Sequence, residues 1–208
     1  MPSSPDPQRR AYWLKTLHTW HWISSALCLV AMILFAATGI TLNNAAHIEA
    51  KPVVTQKTAQ LPAEVLARLA RGPQEGNAPL PASVSEWLGA HLQVEAGNRQ
   101  AEWSREEVYL ALPRPGGDAW LRITRDSGEL EYELTERGWI SYFIDLHKGR
   151  NTGLAWSWFI DLFAVVCLLF CATGLLLLQL HSGNRPLTWP ITALGLVVPL
   201  VLALLFIH

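Results

Sequence analysis

The sequence predicts a membrane α-helical protein with three transmembrane helices and an inserted small α+β domain. Half of its 208 residues are hydrophobic and only 16% are charged, which is apolar for a soluble domain. Residues 45–153 hold 12 of the 16 Lys and Arg and 15 of the 17 Asp and Glu. We therefore expect a charged central domain between apolar segments. The net charge of −1, without a basic stripe, argues against a nucleic-acid partner.

Three apolar segments are long enough to cross a bilayer, which takes about 20 helical residues. After an N-terminal tail at 1–21, we place transmembrane helices at 22–44, 154–181 and 187–208. Short cytoplasmic segments carry an excess of Lys and Arg, and the tail and the connection after the second helix are basic. This pattern predicts a cytoplasmic N-terminus and an extracytoplasmic domain at 45–153.

Two features of the predicted spans have alternative interpretations. The pair Arg9-Arg10 is similar to an export signal, but the apolar run that follows is longer than a signal peptide has, which favours an uncleaved anchor. Cys28, Cys167 and Cys171 all fall within spans, so none can cross-link the outer domain. We expect packing roles for them, with redox or metal chemistry at Cys167 and Cys171 as the alternative.

The central domain has the pattern of a small α+β fold. Helical periodicity predicts short helices at 62–71 and 82–92, and alternating apolar residues predict strands at 108–112, 119–123 and 130–134. The domain would be a meander covered on one face by a helix. It holds no catalytic triad or phosphate loop, and we expect its lone histidine, His91, to be a surface or packing residue.

An internal repeat connects the first two spans. Leu17-His18 leads into a helix that ends in Phe35-Ala36-Ala37-Thr38-Gly39, and Leu146-His147 leads into one that ends in Phe170-Cys171-Ala172-Thr173-Gly174. The distance from histidine to threonine is 20 residues in the first unit and 26 in the second. The two helices would cross the membrane in opposite directions.

The repeat, the strands at 108–134 and the junction Asp145–Arg150 resemble the PepSY-associated transmembrane helix family over most of the chain. Larger members resemble ferric-siderophore reductases of the bacterial inner membrane. The resemblance implies a PepSY-like central domain, an inner-membrane location, and b-type haem held between helices, with one haem or two.

Haem iron with two axial imidazoles needs histidines from facing helices. His18, His21 and His181 would lie at the inner edge of the spans and are predicted ligands, and the resemblance favours His18 over His21. The small residues near His21, and Gly174 two turns before His181, would leave room for a porphyrin. The alternative is that these histidines lie at the membrane interface and bind nothing.

An outer haem would be held by His147, with His47 as its partner. The family often has histidine where this sequence has Asn44 and Asn151, so this pair is open to another interpretation, namely a polar helix end capped by Asn and His. Asp161, inside the second span, could bind a ligand imidazole, contact a neighbouring helix or line a wet cavity.

Other polar and aromatic residues near the span ends have two interpretations each. Basic residues could neutralise haem propionates or could only set topology: Arg9, Arg10, Lys15, Lys148, Arg150 and Arg185. Tryptophans fit an aromatic belt better than an electron relay: Trp13, Trp20, Trp22, Trp139, Trp156, Trp158 and Trp189.

These patterns favour a haem b protein that carries electrons from a cytoplasmic or quinone donor to an extracytoplasmic acceptor. By resemblance the acceptor is a ferric siderophore or a periplasmic redox partner such as a flavoprotein. The chain has no dinucleotide motif, so a separate donor is expected. The alternatives are a non-redox, membrane-anchored binding or regulatory module and a siderophore or metal transporter subunit. A homodimer is compatible with three spans.

Overall fold

The computed structural model describes residues 7–48 and 51–207. Three of its helices are long and apolar enough to cross a membrane: α1 (Pro7–Asn43), α5 (Leu154–His181) and α6 (Thr188–Phe206). A separate antiparallel sheet lies between α1 and α5 in the chain. The predicted fold class is confirmed. Helix α1 begins at Pro7, about four turns before residue 22, because no glycine or further proline interrupts the chain before Gly39.

The chain forms two compact units, Phe35–Ser157 and the sequence on either side of it. In the described part of the flanking unit the buried residues are small: Ser24 and Cys28 on α1 and Thr173 on α5. Small side chains let helix backbones approach closely in a membrane, where apolar burial gives no driving force. Helix α6 is largely exposed, which is expected of a helix whose solvent is lipid.

The second unit contains a six-stranded sheet in which every neighbouring pair is antiparallel. Its strand order is β1-β6-β5-β4-β3-β2. The strands are β1 (Val53–Gln60), β2 (Gly76–Pro79), β3 (Gln100–Trp103), β4 (Glu107–Ala111), β5 (Gly117–Thr124) and β6 (Glu129–Glu136). The last three correspond to the predicted strands, and the first three were not expected.

Two helices cover one face of this sheet, α2 (Ala63–Leu69) and α3 (Ala82–Leu92). On α3 the residues Val84, Leu88 and Leu92 are buried at intervals of four, which places them on one helical face. They pack in one cluster with strand residues such as Leu121. Burial of each leucine contributes about 1.5–3 kcal/mol, so the core stabilises this domain without disulfides.

A further helix, α4 (Gly138–Lys148), joins β6 to α5 and was not expected. It is tied to the β4–β5 turn by Asp145, which is fully buried. One oxygen of Asp145 accepts the Gly116 N–H at 2.9 Å, and the other accepts from Arg150 Nε and Nη2 at 2.9 and 2.8 Å. Gly149 then ends α4 with a left-handed φ of 65°. The Asp145–Arg150 motif is therefore a joint between the sheet and α4.

Candidate histidine sites

His21, on α1, is held by a short segment of α5. Its Nδ1 lies 3.0 Å from the Thr173 hydroxyl oxygen, and its ring stacks on Phe170 with the centroids 4.7 Å apart. A Cβ added at Gly174 would lie 3.3 Å from His21 Cε1, so a side chain there would press on the imidazole. Phenylalanine, threonine and glycine together form a cradle for one ring.

The hydrogen bonds of Thr173 fix which nitrogen of His21 carries a proton. The hydroxyl has a single hydrogen, and Thr173 directs it to the carbonyl of Leu169 (2.8 Å) or Phe170 (3.0 Å). The oxygen must therefore accept from His21, and Nδ1 must be the donor. In the neutral ring this leaves the lone pair on Nε2, which has no hydrogen-bond partner among residues 7–48 and 51–207.

The compact unit Phe35–Ser157 contains the same arrangement around His147. Its Nδ1 lies 2.8 Å from the Thr38 hydroxyl oxygen, and its ring lies against Phe35 with the centroids 5.1 Å apart. A Cβ added at Gly39 would lie 3.4 Å from His147 Cε1. Thr38 donates its own hydrogen to the Phe35 carbonyl at 3.1 Å, so His147 is also a donor at Nδ1.

These two cradles explain the internal repeat. The Phe-x-Ala-Thr-Gly segment at the end of the first repeat holds His147 of the second repeat, and the segment at the end of the second repeat holds His21 of the first. The histidine of the first unit that corresponds to His147 is His21, although the Leu-His dipeptide had pointed to His18. The corresponding distances to threonine are therefore 17 residues in the first unit and 26 in the second.

The histidines predicted for the inner site lie on α1 and α5, two of them in ring contact and two on one groove. His181 donates its Nδ1–H to the Leu177 carbonyl at 2.8 Å, which again leaves the Nε2 lone pair. The ring of His18 meets that of His181 edge-on, with the centroids 5.9 Å apart. His21 and His181 line one open groove of about 400 Å³ with three apolar residues: Gly174, Leu177 and Leu178.

The predicted outer partner of His147 is not in contact with it. His47 is exposed in a 3-10 turn at Ala45–His47, and it makes no ring contact or hydrogen bond with His147 in the described chain. Asn44 bonds the Ile40 carbonyl at 2.9 Å and caps the end of α1. Asn151 has a left-handed φ of 59° in the turn after α4. Both asparagines have local roles at helix ends.

His91 is an exposed residue of α3. It donates to the Trp87 carbonyl at 3.0 Å and stacks on the Trp87 ring, with centroids 4.6 Å apart. A bond from Nδ1 to the carbonyl four residues earlier is thus common to His91 and His181. Such a bond does not by itself identify a metal ligand. Among the described histidines, only His21 and His147 contact a threonine and a glycine of another helix.

The remaining predicted residues take simpler positions. Asp161 is exposed on α5, and Arg150 is bonded to Asp145. The three cysteines are free. His208 lies outside the described residues. No group of three or more His, Cys, Asp or Glu side chains within the described ranges could hold a bare metal ion. Four other basic residues are exposed: Arg9, Arg10, Lys15 and Arg185.

These features define a class of multi-span membrane protein in which a repeated helix motif precedes and follows an antiparallel α/β domain in the chain. Residues 12–208 match the PepSY_TM-like family, and the chain belongs to that family. The resemblance noted in the sequence is confirmed. No match was found among curated proteins or among solved structures.

Proposed function

We propose that this protein is a haem b electron carrier of the bacterial inner membrane. The observation that supports it best is the fixed tautomer of His21. A histidine ligates iron through one neutral nitrogen while the other N–H is held by a hydroxyl or carbonyl, and Thr173 provides that hydroxyl. His181 lines the same groove, and its Nδ1–H is held by the Leu177 carbonyl, which leaves the Nε2 lone pair available.

The two histidines suit an iron ligand, and the shape of the groove suits a flat, apolar one. Gly174 has no side chain to fill the space beside His21, and Leu177 and Leu178 supply an apolar wall. His21 and His181 would hold the haem iron, and His18, whose ring touches His181, would be a positioning residue. Bound haem would supply one-electron transfer.

We assign one haem, to this inner groove. His147 has an equally prepared Nε2 but no second histidine in contact within the described part of the chain. His47 would have to move to become its partner. An outer haem completed by His47 is therefore the less supported arrangement.

The proposed direction of electron flow follows the basic residues of the sequence. With the N-terminus in the cytoplasm, the groove would lie near the cytoplasmic side and receive electrons from a quinone or a cytoplasmic donor. The acceptor would be a ferric siderophore or a periplasmic flavoprotein on the side of the central domain. A homodimer could cover the groove, which is open on one side.

Spectroscopy of the full-length protein in detergent tests this assignment. We expect reduced-minus-oxidised haem bands and about one haem per chain. His21→Ala and His181→Ala should each abolish the bands because each removes an axial ligand. His18→Ala should keep the haem and shift its spectrum.

His91→Ala is the matched control, since His91 has the same Nδ1–carbonyl bond as His181 but lies in the central domain. It should leave the spectrum unchanged. A folded protein that remains colourless after growth with added haem would contradict the proposal and favour a non-redox anchored module or a transporter subunit. Equal loss of haem in His91→Ala and His181→Ala would overturn the ligand assignment.

A further inference from the structure

Helix α4 presents an apolar face to its surroundings. Trp139 is 75% exposed, Phe143 47% and Ile140 44%. Residues at positions 139, 140 and 143 lie on one side of a helix. The side that faces the domain holds the buried Asp145, and the β4–β5 turn packs against Tyr142. Helix α4 is therefore amphipathic with its large aromatic residues outward, the reverse of a helix at the surface of a soluble domain.

The last turn of α4 is bonded to the membrane helices themselves. His147 contacts Thr38 and Gly39, which lie within the apolar helix α1 shortly before its end. The carbonyl of Leu146 accepts from Trp156 Nε1, in the first turn of α5, at 2.9 Å. One end of α4 is thus fixed where the two spans end. Its 11 residues extend about 16 Å from that point.

Two lysines lie near α4, while the acidic Glu136, which lines a pocket with Trp139, is paired with Arg114. Lys51 and Arg137 line a groove of about 430 Å³ between α4 and the chain that precedes β1, and Lys148 is the last residue of α4. Neither lysine makes an ion pair within the part of the chain that is described. By contrast, Arg114 and Arg137 are paired with acidic residues at 3.1 and 2.6 Å.

We propose that α4 is an interfacial helix that lies in the headgroup layer of the bilayer crossed by α1 and α5. Trp139, Ile140 and Phe143 would insert toward the acyl chains, and Lys51 and Lys148 would contact lipid phosphates. Interfacial helices have an outward apolar face and lysines that flank it. In this protein one end of the helix is also fixed at the spans. This role goes beyond electron transfer and does not depend on it.

Spin labels on the full-length protein in phospholipid nanodiscs test this position. Cys28, Cys167 and Cys171 are first replaced by serine, and a single label is attached at Phe143→Cys. The matched control is Ala90→Cys, at an exposed position of α3 in the same domain. Collision rates with oxygen, which concentrates in lipid, and with a water-soluble nickel chelate report the depth of each label.

We expect the oxygen-to-nickel ratio to be severalfold higher at position 143 than at position 90. Trp139→Cys gives an independent measurement on the same face if the first variant does not fold. Equal ratios at both positions would place the face in water and overturn the proposal. A label shielded from both probes would also overturn it, because the face would then be covered by protein.

Discussion

At the scale of single residues, the group that accepts a histidine's hydrogen bond determines which ring nitrogen keeps its lone pair. A hydroxyl that already donates to a backbone carbonyl can only accept from the ring, so it selects one tautomer. Thr173 and Thr38 both do this. The imidazoles of His21 and His147 therefore each have a protonated Nδ1 and, when neutral, a basic Nε2.

If His21 and His181 hold haem as proposed, Thr173→Val should weaken its binding. Valine has nearly the shape of threonine but offers no acceptor, so the Nδ1–H of His21 loses its partner and the ring loses its orientation. Loss of such a supporting group commonly lowers affinity for the metal group about 10- to 100-fold. Titration of the haem-depleted protein with haem, followed by absorbance, measures the change.

Thr173→Ser keeps the hydroxyl and is the control for this change. It should retain affinity close to that of the natural protein. If serine and valine lower the affinity equally, the threonine acts through its methyl group and not as an acceptor.

The sequence could not identify His21 as the held residue. Polar and apolar residues are spread around the whole circumference of α1, so no periodicity marks the side that faces α5. Which of His18 and His21 meets Thr173 depends on the rotation of one helix against another. The sequence reveals the repeat, because Phe-x-Ala-Thr-Gly occurs twice. Only the structure shows which histidine contacts each of the two segments.

At the scale of elements, Asp145 joins α4 to the sheet. Asp145→Asn removes the charge that Arg150 binds and replaces one acceptor oxygen by a donor. Each bond to a charged group contributes about 1.5–3 kcal/mol, and the exposure of Arg150 reduces the total. We expect the free energy of unfolding of the central domain to fall by about 2–3 kcal/mol, measured by hydrogen exchange of the slowest β5 amides.

The control is Asp118→Asn, in the exposed ion pair with Arg137. Exposed pairs contribute about 0–1 kcal/mol, so exchange should change little. Similar losses in both variants would show that Asp145 has no special role in joining α4 to the sheet.

Strands of five or more residues with one buried face were predictable, whereas exposed strands and strands of only four residues, such as β3, were not. Strand β5 alternates buried and exposed residues along its length, and α3 has a four-residue period. Strand β1 is mostly exposed, and β2 has only four residues, including Gly76 and Pro79. Helix α4 escaped prediction because its exposed face is the aromatic one.

At the scale of the whole molecule, the two units are stabilised differently. The central domain buries a leucine-rich core, whereas the membrane unit buries small residues and leaves its large apolar side chains to lipid. The fold class was predictable because this contrast appears directly in the charge distribution along the chain.

Leu121→Ala should therefore destabilise the central domain strongly. Leu121 is fully buried, and truncation of a buried leucine costs about 2–5 kcal/mol because it removes contacts and leaves a cavity. Limited proteolysis of the full-length protein in detergent should show much faster cleavage within residues 53–136.

Val54→Ala, on the exposed edge strand β1, is the matched control, with an expected change within about 0.5 kcal/mol. Unaltered proteolysis of Leu121→Ala would contradict a single cooperative core.

The pairing of the first strand with the last has a consequence for how such a protein can be assembled. Val53 and Glu136 are direct cross-strand partners, with Cα atoms about 5 Å apart. The chain enters and leaves the sheet at one point, so a link of one or two residues could replace everything in between. The sheet is in this sense an insertion with a single point of attachment in the backbone, reinforced by the side-chain bond of Asp145 to Gly116.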